Sequence, residues 1–321
     1  MSEPAPARGP QAASHLAAPA YRLDVAGHAL ELGAKPCLMG VVNASPDSFS
    51  DGGRYRTLED RLRLAGELLD AGADILDVGG ESAATNRPAV DQEEEIERVV
   101  PLIERLVRDF GALVSIDTYK PAVACAAIGA GAAIVNYVSG LRDIGLAEVC
   151  AQSGAALVVM HTSAAPKQRL QDPNLYRDIV EEVLGFLSER LASAEGAGVP
   201  RERLIVDPGP DFAKTPAQTI ELLRELSRLH ELGRPLLMAI SRKDFIGALT
   251  GRAPRERLPG TLAALAHGVD RGAHIFRVHD VAAAADYLKV RHALAGLSVP
   301  SRDLALAEEL RYEEPPADAH S

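Results

Sequence analysis

A chain of 321 residues, 47% hydrophobic and 25% charged, is long enough for one large domain or two ordinary ones with a sizeable core. Its net charge of -11 sets a long-range field that favours neither nucleic acid nor an anionic membrane surface, so an anionic substrate must be held by local donors. The three cysteines, Cys37, Cys125 and Cys150, form no disulfide framework and have no metal-ligand spacing, which fits a reducing cytoplasm, and no apolar run approaches the roughly 18 residues of a membrane span.

Residues 1–20 carry Pro, Ala and Gly without an apolar signal region and read as a disordered tail. Tyr21 to Leu32 alternates around Ala26-Gly27-His28 and predicts a β-hairpin. After it, short apolar runs alternate with longer amphipathic stretches. The runs are Cys37 to Val42, Ile75 to Val78, Leu113 to Ile116, Ala132 to Val135, Ala156 to Met160, Leu204 to Val206, Leu236 to Ile240 and Ala273 to Val278. Between them, helical periodicity covers Leu58 to Ala71, Asp91 to Asp109, Pro121 to Gly129, Leu175 to Ala197, Pro216 to Leu232 and Val281 to Leu294. Such a rhythm over about 260 residues predicts an α/β fold, a (β/α)8 barrel within a domain spanning 21–296, with a doubly wound open sheet as the alternative. The acidic, proline-containing segment 297–321 reads as a short helix and a frayed tail.

In a parallel barrel the loops at the carboxyl ends of the strands converge on one mouth, so the first polar residues past each run matter most. They are Asn43; Gly79-Gly80-Glu81-Ser82; Asp117-Thr118; Asn136; His161-Thr162; Asp207-Pro208-Gly209; Ser241-Arg242-Lys243; and His279-Asp280, with Arg277 just inside the last strand. Taken singly, Asp117 reads equally as a cap for the helix near Pro121, Asp207 as the organiser of a turn, and His279 as a common polar contact. Polar groups at every strand end together predict a binding site. Gly129-Ala130-Gly131 precedes a strand instead of following one, which excludes a dinucleotide loop there.

The segments MGVVNASPDSFSDGG, DVGGES, SIDTYKP, IVNYVSG, DPGPDFAKT, SRKDFIG and FRVHDV, spread from Pro36 to about Leu294, resemble those of the dihydropteroate synthase family. That resemblance implies a TIM barrel and a transferase of folate biosynthesis, which joins a dihydropterin methyl diphosphate to 4-aminobenzoate and releases diphosphate. It implies that Asp207 takes the amino and ring N–H edge of the pterin, that Asn136 and Asp117 meet other ring nitrogens, and that Lys243 donates to the carbonyl side. Met160 and Phe212 would cover the ring faces, although plain core packing is the stronger reading of both. Arg277 and His279 would grip the diphosphate beside Asn43, which also helps hold Mg2+, and Phe49 and Asp51 match the mobile lid of the first loop. The implied catalytic set is Lys243, Arg277, His279 and Asp51. A homodimer through the last helices follows by the same analogy.

Four departures from the family pattern stand out. The second loop reads Gly-Gly-Glu-Ser-Ala-Ala-Thr-Asn-Arg-Pro, so that Thr85 and Arg87, the acceptor-side Thr and Arg, are displaced and separated. Tyr137 stands where the family carries Asp, and Asp211 where it carries glycine. Asp244, at the start of a helix, replaces a small hydroxyl residue that helps receive the 4-aminobenzoate carboxylate. Capping by Asp244 would set a like charge against that carboxylate, worth about one to several kcal/mol depending on solvation. The pterin half of the site therefore reads as intact and the acceptor half as altered. A different acceptor, or a non-catalytic pterin-binding paralogue, are the alternatives.

Overall fold

The computed structural model describes residues 18–33, 35–45, 57–82 and 85–311. A hairpin, Tyr21–Val25 (β1) and His28–Leu32 (β2), opens the fold, turning on Ala26 and Gly27, both at positive φ. Two such residues between paired Val25 and His28 make the tight turn that matches strand twist. Eight parallel strands follow: Cys37–Asn43 (β3), Ile75–Gly79 (β4), Val114–Asp117 (β5), Ile134–Tyr137 (β6), Ala156–Met160 (β7), Leu204–Asp207 (β8), Leu237–Ala239 (β9) and Ile275–Val278 (β10). Their order is β8-β7-β6-β5-β4-β3-β10-β9, and a bridge from Val206 to Leu236 closes the ring between β8 and β9. This closure makes the sheet a barrel and excludes the open-sheet alternative.

The outer helices are Leu58–Asp70 (α1), Gln92–Phe110 (α2), Pro121–Gly129 (α3), Gly145–Ser153 (α4), Ile179–Gly196 (α5), Pro216–Arg224 (α6), Asp244–Thr250 (α7), Leu258–Asp270 (α8) and Val281–Leu294 (α9). Their starts follow capping chemistry. Thr57 forms a reciprocal box with Asp60, and Thr215 forms one with Gln218 ahead of Pro216. Two helical expectations need correction. The helix expected from Leu175 begins at Ile179, because the Asp178 carboxylate accepts the amides of Val180 and Glu181 and so fixes the cap there. The helix expected to run from Pro216 to Leu232 stops at Arg224 and continues as a 3-10 segment, Leu226–Leu232.

Alternation sorts each strand into two faces. Leu38, Val42, Leu76, Val78, Ile116 and Val135 pack outward against the helices in the larger core. Cys37, Met39, Ile75, Leu113, Ile134, Val158, Ile205, Leu237 and Ile275 point inward, and Leu23, Val25 and Leu32 of the hairpin pack with them, plugging the amino-terminal end of the barrel. Continuing the inward set toward the carboxyl ends reaches Asn43, Asp77, Asp117, Asn136, Met160, Asp207, Arg277 and His279. The same alternation that fills the floor with apolar groups thus delivers polar ones to the mouth.

Residues 297–311 are exposed, with one 3-10 turn at Glu308–Leu310. At the other end Pro19 lies against the barrel, its carbonyl accepting from His274 Nε2 at 2.9 Å.

Candidate active site

At the centre of the mouth Arg277 links two carboxylates from neighbouring strands. Its Nε donates to Asp77 Oδ2 at 2.6 Å and its Nη2 to Asp117 Oδ2 at 2.9 Å. Asn136 Nδ2 donates to the same Asp77 oxygen at 3.2 Å. Burial opposes the charge on Arg277, yet the paired carboxylates hold its pKa above the ordinary value. Burial pushes the Asp117 carboxyl up to about 7 despite Arg277, with Asp77 and Glu95 adding repulsion.

Asp207 sits across the mouth on β8, buried, and accepts the Gly209 amide at 2.7 Å. Burial raises its pKa to about 6, against the lowering by that amide and by Lys243. Gly209 has φ +63, and a Cβ there would stand 2.2 Å from the His161 carbonyl oxygen, so only glycine permits this turn. The turn carries Phe212 to the site, where Lys243 Nζ lies 4.4 Å from the centre of its ring. Burial lowers the Lys243 pKa, countered by Asp211 and Asp207. Met160 is fully buried on β7, paired in register with Asp207.

His279 accepts no charge at neutral pH: burial, with Arg242, Arg277 and Lys243 nearby, pushes its pKa down to about 3. Its backbone amide donates to Ser241 Oγ at 3.2 Å, and its Nδ1 lies 3.0 Å from the same oxygen. With the Ser241 hydroxyl proton turned toward Nδ1, Nε2–H becomes the ring's donor.

These groups border a cavity of about 790 Å3, lined by Asp117, Phe212, Lys243, Asp244 and His279 among others. Its outer wall is the loop after β7, from Ala164 to Gln171. Thr85 lines the cavity and Arg87 is not among its lining residues. Asn43, Asn136, Met160, Asp207 and Arg277 stand at the adjoining strand ends rather than in the lining itself. Phe49 and Asp51 lie outside the described residues.

The second loop is anchored by a cluster of charges that strand-end reasoning did not anticipate. Glu81 accepts from Lys120 Nζ at 2.8 Å and pairs with Lys167 at 2.9 Å, and Lys120 also reaches Glu95 at 2.6 Å. Loops from three strands are thereby joined. Asp77 was also not anticipated, although a carboxylate inside the apolar run Ile75 to Val78 is itself a signal, because a buried charge must find a partner.

The departures on the acceptor side resolve differently from expectation. Asp244 does not cap α7. The cap residue is Lys243, and the helix amides are taken by Asp211, whose Oδ2 accepts from the backbone of Asp244 at 2.6 Å and Phe245 at 3.3 Å. Asp211 reaches them from a left-handed turn, φ 66, steadied by Thr219 Oγ1 at 3.1 Å from its other oxygen. Asp244, the first helical residue, stands at the rim of the cavity that it helps to line, 65% exposed, and pairs with Arg257 at 3.0 Å. Tyr137 points to the helix side, its hydroxyl oxygen accepting the amides of Arg142 and Asp143 at 3.0 and 3.2 Å.

A closed parallel barrel with buried carboxylates, an amide and a lysine at its carboxyl mouth is the architecture of a pterin-binding enzyme, and the family model described as "Pterin binding enzyme" matches residues 39–279. The dihydropteroate synthase of Escherichia coli (strain K12) is 38% identical over 292 residues, covering 91% of this chain and 100% of the relative. The structure of Xanthomonas albilineans dihydropteroate synthase with 4-aminobenzoic acid superposes with a TM-score of 0.79 at 44% identity, covering 88% of this chain and 100% of that one. The same enzyme in complex with 7,8-dihydropteroate gives 0.76 at 44% identity, covering 87% and 100%. The chain belongs to the dihydropteroate synthase family.

Proposed function

We propose that this protein condenses 6-hydroxymethyl-7,8-dihydropterin diphosphate with 4-aminobenzoate, giving 7,8-dihydropteroate and diphosphate. The observation that carries this reading is the set of inward strand-end groups, Asp117, Asn136, Asp207 and Arg277, continuous with Lys243 and Phe212 of the cavity. A pterin offers a flat edge of N–H, amino and carbonyl groups. Fixed carboxylates, an amide and an ammonium complement that edge, and reject rings that leave a buried charge unpaired. Phe212 and Met160 border the ring faces.

In the reaction the arylamine nitrogen attacks the methylene carbon, the bond from that carbon to the diphosphate oxygen breaks with its electron pair leaving on oxygen, and the amine proton passes to solvent. The amine is nucleophilic when neutral, so stabilising the departing charge is the main demand. Arg277 and Lys243 supply positive charge, and neutral His279 supplies a hydrogen bond through Nε2–H. Asp51 and Phe49 belong to the lid in this reading, and Thr85 and Arg87 to the acceptor side.

Mg2+ completes the picture. Asn43 offers one neutral oxygen at the rim, which suits a hard cation that draws most of its ligands from diphosphate and water. Among the described residues no group of three or more His, Cys, Asp or Glu is placed to hold a metal by itself. When bound, the ion would supply further charge neutralisation to the leaving group.

The case for a different acceptor rested on Asp244. Its pairing with Arg257 and its exposure weaken that case. The same reading places the protein in the cytoplasm as a homodimer acting on small molecules, with neither nucleic acid nor membrane as partner. Val290 and Leu294, 59% and 84% exposed on α9, are apolar groups suited to a two-fold contact. No described helix is long and apolar enough to cross a membrane.

Purified protein with Mg2+ and the pterin diphosphate is expected to release diphosphate only when 4-aminobenzoate is added. Release driven only by another amine, or pterin binding without turnover, overturns the assignment. Asp207→Ala is expected to abolish pterin binding by calorimetry.

A further inference from the structure

The two carboxylates that hold Arg277 differ in how open they are. Asp77 is fully buried, while Asp117 borders the cavity and keeps 16% of its side chain exposed. All of Asp77's hydrogen bonding runs through Oδ2, which holds Arg277 Nε at 2.6 Å and Asn136 Nδ2 at 3.2 Å; Oδ1 has no hydrogen-bond partner among the described residues. Register explains the convergence. Val41 on β3 pairs with Asp77, Met39 on β3 pairs with Arg277, and Asp77 pairs with Ser115 on β5, two residues before Asp117. The carboxylate therefore sits one register layer below Asp117 and Asn136, while Arg277 is rooted one layer deeper than Asp77 and extends toward the mouth to meet both carboxylates.

We propose that Asp77 is a positioning residue that sets both halves of the donor site, aiming the Arg277 guanidinium at the diphosphate and orienting the Asn136 amide toward the pterin ring. Asp77 is the permanent anchor of Arg277 and Asp117 the exchangeable one. When ring N–H groups engage Asp117, Arg277 Nη2 is released to the leaving group, while Nε stays on Asp77. A guanidinium tethered at Nε keeps its plane and reach, and loses neither to solvent nor to rotamer averaging. Ring recognition and leaving-group contact are thus coupled through one arginine.

This inference rests on the proposed role of Arg277, and the test separates the two. Affinity for inorganic diphosphate with Mg2+ is measured by calorimetry, alongside KM for the pterin diphosphate and for 4-aminobenzoate. Asp77→Asn is expected to weaken diphosphate binding at least tenfold and raise KM for the pterin diphosphate similarly, with KM for 4-aminobenzoate changed less than about twofold. Asp117→Asn, which removes only the exchangeable contact, is expected to leave inorganic diphosphate affinity equal or higher. Arg277→Gln is expected to weaken diphosphate binding at least tenfold, to a level still measurable by calorimetry, and Asp77→Asn added to it to cost nothing further, because the group being positioned is gone.

The double variant also removes both charges of the pair, so it keeps the test open where Asp77→Asn alone fails to fold. A folded Asp77→Asn protein that binds diphosphate normally overturns the positioning role, as does a further tenfold loss in the double variant. Normal diphosphate affinity in Arg277→Gln overturns the reading of Arg277 itself.

Discussion

The carboxylate of Asp211 lies 2.6 Å from the backbone nitrogen of Asp244, so an acidic side chain from the turn after β8 caps the helix that follows Lys243. This contact ties the strand that carries Asp207 to the element that carries Lys243, across 33 positions of sequence. Losing a cap of this kind costs about 1 kcal/mol, up to about 2. Asp211→Ala also has to hold alanine at φ 66, which adds about 1 kcal/mol. Asp211→Asn keeps an oxygen acceptor and tolerates the left-handed conformation. Urea unfolding is expected to show a loss of about 2 kcal/mol for Asp211→Ala and a loss of a few tenths for Asp211→Asn. Equal destabilisation of the two would mean that the cap contributes nothing.

Asp244 provides the complementary case. Its side chain is 65% exposed and faces Arg257, which also donates to the carbonyls of Arg242 and Lys243. A charge that is solvated and paired projects little field across a Debye length of about 8–10 Å at ordinary salt. Asp244→Ser is therefore expected to change KM for 4-aminobenzoate less than about threefold, with kcat retained. A fall of tenfold or more would restore direct repulsion of the acceptor carboxylate.

Asp244 and Asp211 show where reading a sequence runs out. The barrel was legible because strand alternation is local: Cys37, Met39, Asn43 and their counterparts can be assigned a face from neighbours alone. The mouth residues Asn43, Asp117, Asn136, Asp207 and Arg277 followed from the rule that strand ends converge. What caps α7, by contrast, depends on a turn conformation at Asp211 and on distance in space, and position next to a helix made Asp244 the obvious but wrong candidate. Asp77 escaped notice for a related reason. It looked like part of an apolar strand, and its partners, Arg277 and Asn136, come from strands distant in sequence. The Glu81, Lys120, Glu95 and Lys167 cluster likewise joins three loops that sequence order keeps apart.

His274 gives a prediction about pH. It is fully buried at the base of the barrel, where Nδ1 accepts the Leu236 amide at 3.0 Å and Nε2–H donates to the Pro19 carbonyl at 2.9 Å, an arrangement open only to the neutral ring. Burial pushes its pKa down to about 4, with His230 adding to the effect against the Pro19 contact. A depressed folded pKa means that the unfolded chain binds the proton first. The contribution of His274 is thus complete above about 6.5 and is lost as pH falls toward 4. Asp117 and Asp207, raised to about 7 and about 6, act with the opposite sign and lose their contribution as pH rises. The total profile therefore mixes the two, and the difference between variants isolates the histidine. His274→Gln is expected to cost about 1–3 kcal/mol at pH 7.5 and progressively less at pH 5, by denaturant unfolding at each pH. A pH-independent difference would mean that folding does not shift the His274 pKa, and a cost larger at pH 5 than at pH 7.5 would place a proton on the ring in the folded state.

Lys214 carries the last prediction. Its ammonium is wholly buried, 2.7 Å from His161 Nδ1, 2.9 Å from the Gly209 carbonyl and 3.0 Å from that of Phe212. Those carbonyls belong to a turn in which Gly209, Asp211 and Ala213 are all left-handed, so the lysine gathers a strained backbone around one point. Burial lowers its pKa to about 7, with Asp207 opposing, and even the neutral amine keeps two protons for the two carbonyls. Lys214→Met leaves both carbonyls without a donor and the His161 nitrogen without its partner, at a cost of about 2–4 kcal/mol. Lys214→Arg is expected to do no better, because a planar guanidinium does not fit a pocket closed around a compact ammonium. Because the turn delivers Phe212 to Lys243 and Asp211 to α7, whatever folded protein remains is expected to show a raised KM for the pterin diphosphate. Stability within about 0.5 kcal/mol of the parent in either variant would show that the turn holds its conformation without the lysine.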